Sequence, residues 1–156
     1  MKRNETLEKL HHEVRIDAPL DKVWQTIADL ESVRFYNPWV KTVRYTSQNR
    51  EGVGAARHCD FKDGTSVEEK VIEYEPKRSI SFECYNHQWP VEFIRWTTKV
   101  EHSGEGTLIT SDTGYAPRLD VLSSQNMDAS MLKHQFSKII ADTLELLKRY
   151  VETGKT

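Results

Sequence analysis

Arg57 and Glu69 lie at equal distances on either side of the turn Lys62-Asp63-Gly64, and they form the sharpest candidate site in the sequence. A three-residue loop with Gly64 in the left-handed conformation places Arg57 opposite Glu69, whereas a two-residue Asp-Gly loop places Arg57 opposite Lys70. Opposite charges stabilise a cross-strand pair and like charges destabilise it, so the three-residue loop is favoured. The sequence therefore predicts a guanidinium and a carboxylate side by side on one face of a sheet.

This pair has two interpretations. In the first, Arg57 and Glu69 form a structural ion pair that fixes the register of two strands. In the second, the guanidinium of Arg57 holds a ligand carboxylate, phenol or enolate, while Glu69 orients it or acts as a general base. Tyr115 is a further candidate for moving a proton. The three residues are candidates for catalysis, and the residue types alone do not assign a reaction to them.

A long terminal helix must face this pair. Residues 130–151 contain neither Gly nor Pro, and their apolar side chains recur at spacings of three and four, which predicts an amphipathic helix. At 1.5 Å per residue the helix is about 33 Å long, enough to cross a small domain. Its predicted apolar stripe consists of Leu132, Phe136, Ile139, Ile140, Thr143, Leu147, Tyr150 and Val151.

The preceding residues alternate between apolar and polar types, which predicts antiparallel strands with short turns. Residues 10–16 form strand one, Pro19 starts a short helix, and a second helical turn ends before Pro38. Strand two covers residues 39–45. Treating residues 75–78 as a four-residue loop pairs Tyr74 with Ser79, Val71 with Phe82 and Glu69 with Cys84. Pairing His102 with Thr107 places Trp96 beside Thr113. Residues 118–129 are predicted to be a loop or an irregular helix start.

The inner face of this sheet is predicted to be apolar with a polar seam. Its members are Ala55, Arg57, Cys59, Phe61, Val67, Glu69, Val71, Ile80, Phe82, Cys84, Ile94, Trp96, Thr98, Val100, Ile109, Ser111, Thr113 and Tyr115. A buried polar group without a partner costs about 1–3 kcal/mol, so the seam favours an internal cavity over plain helix packing. Small-molecule sites combine apolar walls with a few convergent polar groups, as this face does.

The residues predicted to bind a ligand come from this face, the second helical turn and the start of the terminal helix. They are Phe35, Trp39, Arg57, Cys59, Phe61, Glu69, Phe82, Cys84, Trp96, Thr98, Ser111, Thr113, Tyr115, Met127 and Met131. His12 and His134 could touch the same cavity, His58 is predicted to point outward, and Trp89 is predicted to lie on an exposed loop.

The composition limits the possible partners. The 156 residues are expected to form one domain over residues 1–156, with 37% hydrophobic and 29% charged residues. The 22 basic and 24 acidic residues are interspersed, which argues against nucleic-acid binding. No apolar run reaches the roughly 18 residues of a membrane span, and MKRNETLEKL lacks a signal-peptide core, so we expect a cytoplasmic protein without an integral membrane segment.

The spacing of chemically reactive side chains argues against metal and cofactor sites. The six histidines include no pair four residues apart, and there is no Gly-rich phosphate loop. Cys59 and Cys84 could pair only on adjacent strands, so buried free thiols are expected. We therefore expect neither a metal nor a cofactor, and the oligomeric state stays open.

The order of elements and three segments resemble the START/Bet v 1-like (SRPBCC) superfamily, including its polyketide cyclase/dehydrase and lipid-transport group. The segments are IDAPLDKVW, FYNPWVKTV and GVGAARHCDFKDGTSVEEKVIEYEP. The resemblance covers residues 14–151 and implies an α+β helix-grip fold. In that fold, a seven-stranded antiparallel sheet wraps a long C-terminal helix, and two short helices follow strand one. Tyr36 stands where the superfamily usually has Trp, and no cyclase or hydrolase signature is present.

Three functions follow from these observations. The first is a carrier or sensor that binds a small hydrophobic or aromatic ligand in an internal cavity. The second is a cyclase or dehydratase acting on an aromatic or polyketide-like substrate, with Arg57 stabilising an enolate and Glu69 or Tyr115 moving a proton. The third is a protein-interaction module, which predicts a filled interior and an exposed apolar patch around Phe35, Trp39 or Trp89.

Overall fold

The computed structural model describes residues 7–155. Its elements in chain order are β1 (Glu8–Ile16), α1 (Leu20–Ala28), α2 (Val33–Tyr36), β2 (Val40–Tyr45), β3 (Ala56–Phe61), β4 (Ser66–Glu75), β5 (Ser79–Tyr85), β6 (Val91–Ser103), β7 (Gly106–Pro117), α3 (Leu119–Ser124) and α4 (Ala129–Thr153). The strands form one seven-stranded antiparallel sheet in the order β1-β7-β6-β5-β4-β3-β2. Helix α4 packs on its inner face, which confirms the predicted helix-grip architecture.

The predicted register of β3 and β4 is confirmed. Arg57 pairs with Glu69 and Cys59 pairs with Val67. The turn between these strands has Gly64 at φ 92°, in the left-handed region that glycine adopts at low cost. The predicted register of β6 and β7 is also confirmed, with Trp96 opposite Thr113.

The turn between β4 and β5 differs from the prediction. Ser79 pairs with Glu75 rather than Tyr74, so the loop has three residues, and Lys77 takes the left-handed conformation at φ 62°. A register shift between Val71 and Glu73 then restores the predicted pairing of Val71 with Phe82. The bulge offsets the one-residue difference at the turn. The inner face of both strands beside Glu69 is therefore as predicted.

Helix α4 is longer than predicted and its buried face is rotated. Asp128 caps the first turn by accepting a hydrogen bond from the Met131 amide at 2.9 Å, and Gly154 ends the helix at φ 74°. Leu144 is buried, whereas Ile139 from the predicted stripe is 51% exposed. The helix therefore turns its Leu144 side toward the sheet and leaves the Ile139 edge outside. Residues 119–124, predicted as irregular, form α3.

The core consists of two apolar clusters stacked along α4. One contains Leu144, Leu147 and Val151 from the C-terminal half of the helix, and the other contains Leu132 and Phe136 from the N-terminal half. Partly buried side chains of Tyr36, Trp96 and Ile140 contact both clusters. Within residues 7–155, no helix has the length and apolar character needed to cross a membrane.

Candidate functional site

Arg57 and Glu69 form a buried ion pair on neighbouring strands. The Arg57 Nε donates to Glu69 Oε1 at 2.6 Å, and both side chains are 9% exposed. A second guanidinium nitrogen, Nη1, donates to the backbone oxygen of Leu30 at 2.8 Å. The guanidinium carbon also lies 5.0 Å from the centre of the Phe82 ring. Arg57 therefore ties β3 both to β4 and to the segment between α1 and α2.

Burial and the ion pair shift the pKa values of the pair's neighbours and of Arg57 itself. Burial opposes the charged guanidinium, but the groups around it, chiefly the Glu69 carboxylate, together outweigh burial and raise the pKa of Arg57. The second carboxylate oxygen of Glu69 accepts a hydrogen bond from Cys84 Sγ at 3.7 Å. Burial, reinforced by Glu69, raises the pKa of Cys59 to about 12 and that of Cys84 well above its usual range. Both thiols are therefore protonated at neutral pH and are poor nucleophiles.

The two cysteines are buried and free, as predicted. Cys59 lies on β3 and Cys84 on β5, with β4 between them. Two strand spacings place their backbones roughly 9.5 Å apart, beyond the reach of a disulfide.

A row of polar side chains crosses the opposite edge of the inner face. His12 on β1 pairs with Ser111 on β7, which pairs with Thr98 on β6. The Nε2 atom of His12 lies 2.9 Å from the Ser137 hydroxyl of α4. Its Nδ1 atom is buried and has no hydrogen-bond partner in the described part of the chain. This row places an unsatisfied ring nitrogen between the sheet and α4.

Tyr115 lies on the same strand as Ser111 and is completely buried. Its ring contacts Phe136 of α4 edge to face, with centroids 5.0 Å apart. Its hydroxyl has no hydrogen-bond partner among residues 7–155. Burial raises the pKa of Tyr115, so at neutral pH the phenol is protonated and can donate a hydrogen bond.

Two side chains near this row are partly exposed although they lie on the inner face of the sheet. Trp96 and Thr98 point inward from β6, which has strands on both sides, yet each remains partly exposed. Trp96 stacks on Phe82 at 5.2 Å on the side toward β5. Solvent therefore reaches side chains on the inner face of an internal strand.

Most of the predicted ligand-binding residues come together in the interior. Those buried there are Arg57, Cys59, Glu69, Phe82, Cys84, Ser111, Thr113 and Tyr115, and those partly buried are Phe61, Trp96, Thr98 and Met127. Phe35, Trp39 and Met131 lie outside, at 45%, 43% and 47% exposure. Phe35 stacks on Tyr150 of α4, because α2 packs along the flank of that helix.

The placement of Trp89 on an exposed loop is wrong. Its ring is partly buried, 6.4 Å from Phe61 and 6.3 Å edge to face from Phe136. It closes the end of the second apolar cluster. Sequence reasoning also missed the acceptor role of Leu30, since a backbone oxygen carries no side-chain pattern, and the contact of Ser137 with His12, which depends on the rotation of α4.

Two surface depressions lie away from the Arg57–Glu69 pair. One is bounded by the β4–β5 turn and the outer side of β6 and β7, and the other lies between Trp39 and the Glu145 side of α4. The enclosed cavity stays a prediction. No group of three His, Cys, Asp or Glu side chains that could hold a metal ion is found in residues 7–155.

Comparison with solved structures shows the fold. Protein TTHA0849 from Thermus thermophilus has a TM-score of 0.77 at 16% identity, covering 96% of this chain and 100% of that one. Ara h 8.0201 has a TM-score of 0.75 at 14% identity, covering 94% and 98%. An uncharacterised protein from Bacillus thuringiensis has a TM-score of 0.77 at 18% identity, covering 92% and 98%. The fold shared with these structures is the helix-grip fold.

The family follows from the sequence, and together with the fold it places the chain in the START/Bet v 1-like superfamily. The family described as polyketide cyclase / dehydrase and lipid transport matches residues 8–152, and this chain belongs to it. No curated protein matches the chain at a significant level.

Proposed function

We propose that this protein binds a small hydrophobic or amphipathic ligand between the sheet and α4, as a carrier or sensor. The observation that carries the proposal is the Tyr115 hydroxyl, which is fully buried without a partner in the described residues. An unsatisfied buried polar group costs about 1–3 kcal/mol, and a ligand that bonds to it removes that cost. The family's description, which includes lipid transport, supports the same function.

Two further observations support this location. Thr98 and Trp96 are partly exposed on the inner face, which favours an opening between the sheet and α4. Apolar residues of both core clusters surround this part of the inner face, and the polar side chains of Ser111 and Thr113 lie among them. Apolar walls with few polar groups are typical of small-molecule sites. The buried free thiols fit the cytoplasmic location expected from the sequence.

A ligand screen by thermal shift and native mass spectrometry tests the proposal. A ligand held at 100 times its dissociation constant adds about 2.7 kcal/mol to the free energy of unfolding. Thr98→Phe fills the space beside Trp96 and should abolish both the shift and the bound mass. Thr110→Phe, on the outer face of β7, is the matched control and should bind as the wild type does. Unchanged binding by Thr98→Phe would place the ligand outside the interior.

A protein-interaction function is the second candidate, because Phe35 and Trp39 are exposed side by side with α4. Exposed aromatic residues are enriched at protein interfaces. In this case the screen yields no stabilising ligand. Sedimentation velocity at rising concentration would then show self-association of the wild type that Trp39→Ser removes.

A further inference from the structure

We propose that the ligand of this interior is uncharged, and that its hydroxyl or carbonyl groups bond to Tyr115 or to His12 on strands β7 and β1, with no role for Arg57. This inference rests on the proposed ligand-binding function. It assigns the polar recognition to the edge of the sheet opposite the ion pair.

The charge balance of the interior argues for a neutral ligand. Arg57 and Glu69 are the only charged side chains that are buried within residues 7–155, and they contact each other at 2.6 Å. Their charges cancel. An anionic ligand would add a negative charge without a buried counter-charge, and desolvating an unpaired charge is costly. Breaking the pair to free the guanidinium would leave Glu69 as the uncompensated charge instead.

Arg57 is also occupied by structural contacts. Its Nε bonds to Glu69 and its Nη1 to the Leu30 oxygen, so turning the guanidinium toward a ligand breaks contacts that hold the α1–α2 segment. The role of Arg57 is therefore structural.

The unsatisfied atoms lie elsewhere. The Tyr115 hydroxyl and the His12 Nδ1 atom are the buried side-chain polar atoms that lack a partner in the described residues. They belong to adjacent strands, β7 and β1, four residues apart in register, whereas Arg57 and Glu69 belong to β3 and β4. Three strand spacings separate β7 from β4, a distance of about 14 Å across the sheet.

The chemistry of these two atoms selects the ligand group. If the Ser137 hydroxyl donates to His12 Nε2, Nδ1 carries the proton and donates; in the other tautomer Nδ1 accepts. A ligand hydroxyl satisfies either tautomer, and a ligand carbonyl satisfies the first. The protonated phenol of Tyr115 can donate to either group. The protonated Tyr115 phenol is a neutral hydrogen-bond donor and offers no counter-charge for an anion.

A matched pair of probes tests the charge preference. 2-Naphthol is neutral at pH 7 and 2-naphthoate is an anion of similar shape, and each is titrated against protein carrying the neutral dye Nile red. We expect 2-naphthol to displace the dye with a dissociation constant at least tenfold lower than that of 2-naphthoate. Equal or tighter binding of 2-naphthoate overturns the inference while leaving the ligand-binding function in place. Failure of Nile red and both probes to bind removes the ligand-binding function itself.

Tyr115→Phe tests the polar contact. The substitution deletes one unpartnered hydroxyl, so the variant should be at least as stable as the wild type. If the hydroxyl had a structural hydrogen bond instead, the variant would be less stable. Its affinity for 2-naphthol should fall roughly three- to tenfold, the value of one neutral hydrogen bond. Tyr85→Phe, at an exposed position of β5, is the matched control and should change neither quantity. Unchanged 2-naphthol affinity in both Tyr115→Phe and His12→Leu overturns the assignment.

Glu69→Gln tests the charge argument in the other direction. The amide keeps the shape of the side chain and removes the counter-charge of Arg57. We expect 2-naphthoate binding to improve at least tenfold while 2-naphthol binding stays within about threefold of the wild-type value. Unchanged or weaker 2-naphthoate binding in Glu69→Gln, relative to the wild type, would contradict the charge-balance argument.

Discussion

Arg57 and Glu69 neutralise each other inside the fold, with the Arg57 Nε 2.6 Å from Glu69 Oε1 and 9% of each side chain exposed. The same guanidinium donates to the Leu30 oxygen at 2.8 Å, so one side chain connects two strands and the α1–α2 segment. Because Leu30 is itself almost fully buried, this contact fixes the position of the short helices over the sheet.

The first prediction concerns the stability of this pair. Arg57→Ala leaves a buried carboxylate without a counter-charge and should lower the free energy of unfolding by about 3–5 kcal/mol, measured by urea denaturation. The double variant Arg57→Met/Glu69→Leu removes both charges and should lose less than either single variant. Lys138→Ala breaks an exposed pair with Asp142 and, as the control, should change stability by under about 0.5 kcal/mol. A loss under about 1 kcal/mol in Arg57→Ala would contradict a buried pair.

The second prediction concerns thiol reactivity. Since burial raises the pKa of Cys59 to about 12 and of Cys84 well above its ordinary value, neither thiol is ionised at neutral pH. Native protein should react with a disulfide reagent such as DTNB far more slowly than a free thiol, and both cysteines should react rapidly once guanidinium unfolds the chain. Cys84→Ser removes one reactive thiol per chain and therefore shows which cysteine each reaction belongs to. Rapid labelling of one equivalent in the native state would show that the core opens at that cysteine.

The register around the candidate site could be predicted because two independent patterns agree. The Gly64 turn and the cross-strand charges both favour Arg57 opposite Glu69, and the structure has this pairing. The turn between β4 and β5 could not be predicted. Lys77 adopts the left-handed conformation that glycine usually takes, and the bulge between Val71 and Glu73 has no sequence marker.

The inner-face members of the site were predictable from alternation, whereas contacts made by other layers were not. Ser111 and Tyr115 follow from the period of β7, which places every second residue inside. Phe35 lies outside because α2 packs along the flank of α4, and Trp39 lies outside beside Glu145 of the same helix, both set by tertiary packing. Trp89 lies inside for the same reason, since Phe136 of α4 reaches it.

The third prediction compares two glycines of β7. A Cβ atom on Gly106 would lie 2.6 Å from the backbone oxygen of Ile16, which cannot move without shifting β1, whereas one on Gly114 meets nothing within 4 Å. Gly106→Ala should therefore cost about 1–3 kcal/mol of stability, as overpacking does. Gly114→Ala should be neutral or slightly stabilising, since alanine loses less backbone entropy on folding. Thermal unfolding of the two variants checks the difference. Equal stability would mean that β1 yields at Ile16 without cost.

The fourth prediction separates two histidines by their pKa values. Hydrogen bonds to Asp112 at 2.6 Å and to Glu13 raise the pKa of His11 above its ordinary 6.5, while burial lowers the pKa of His87 below the same value. NMR titration should therefore show His11 gaining its proton at higher pH than His87. Asp112→Asn should lower the His11 value and leave His87 unchanged, which makes His87 the internal control.

The two shifts act on stability with opposite signs. The folded-state pKa of His11 is raised, so its stabilising contribution is fully present below about pH 6.5, the unfolded value, and is lost as the pH rises through the folded value. The folded-state pKa of His87 is lowered, so stability is lost as the pH falls from about 6.5 through the folded value. Asp112→Asn should therefore weaken the protein more at about pH 5.5 than at about pH 8 in urea denaturation. If Asp112→Asn lowers the free energy of unfolding by the same amount at both pH values, the Asp112 contact does not depend on the charge of His11.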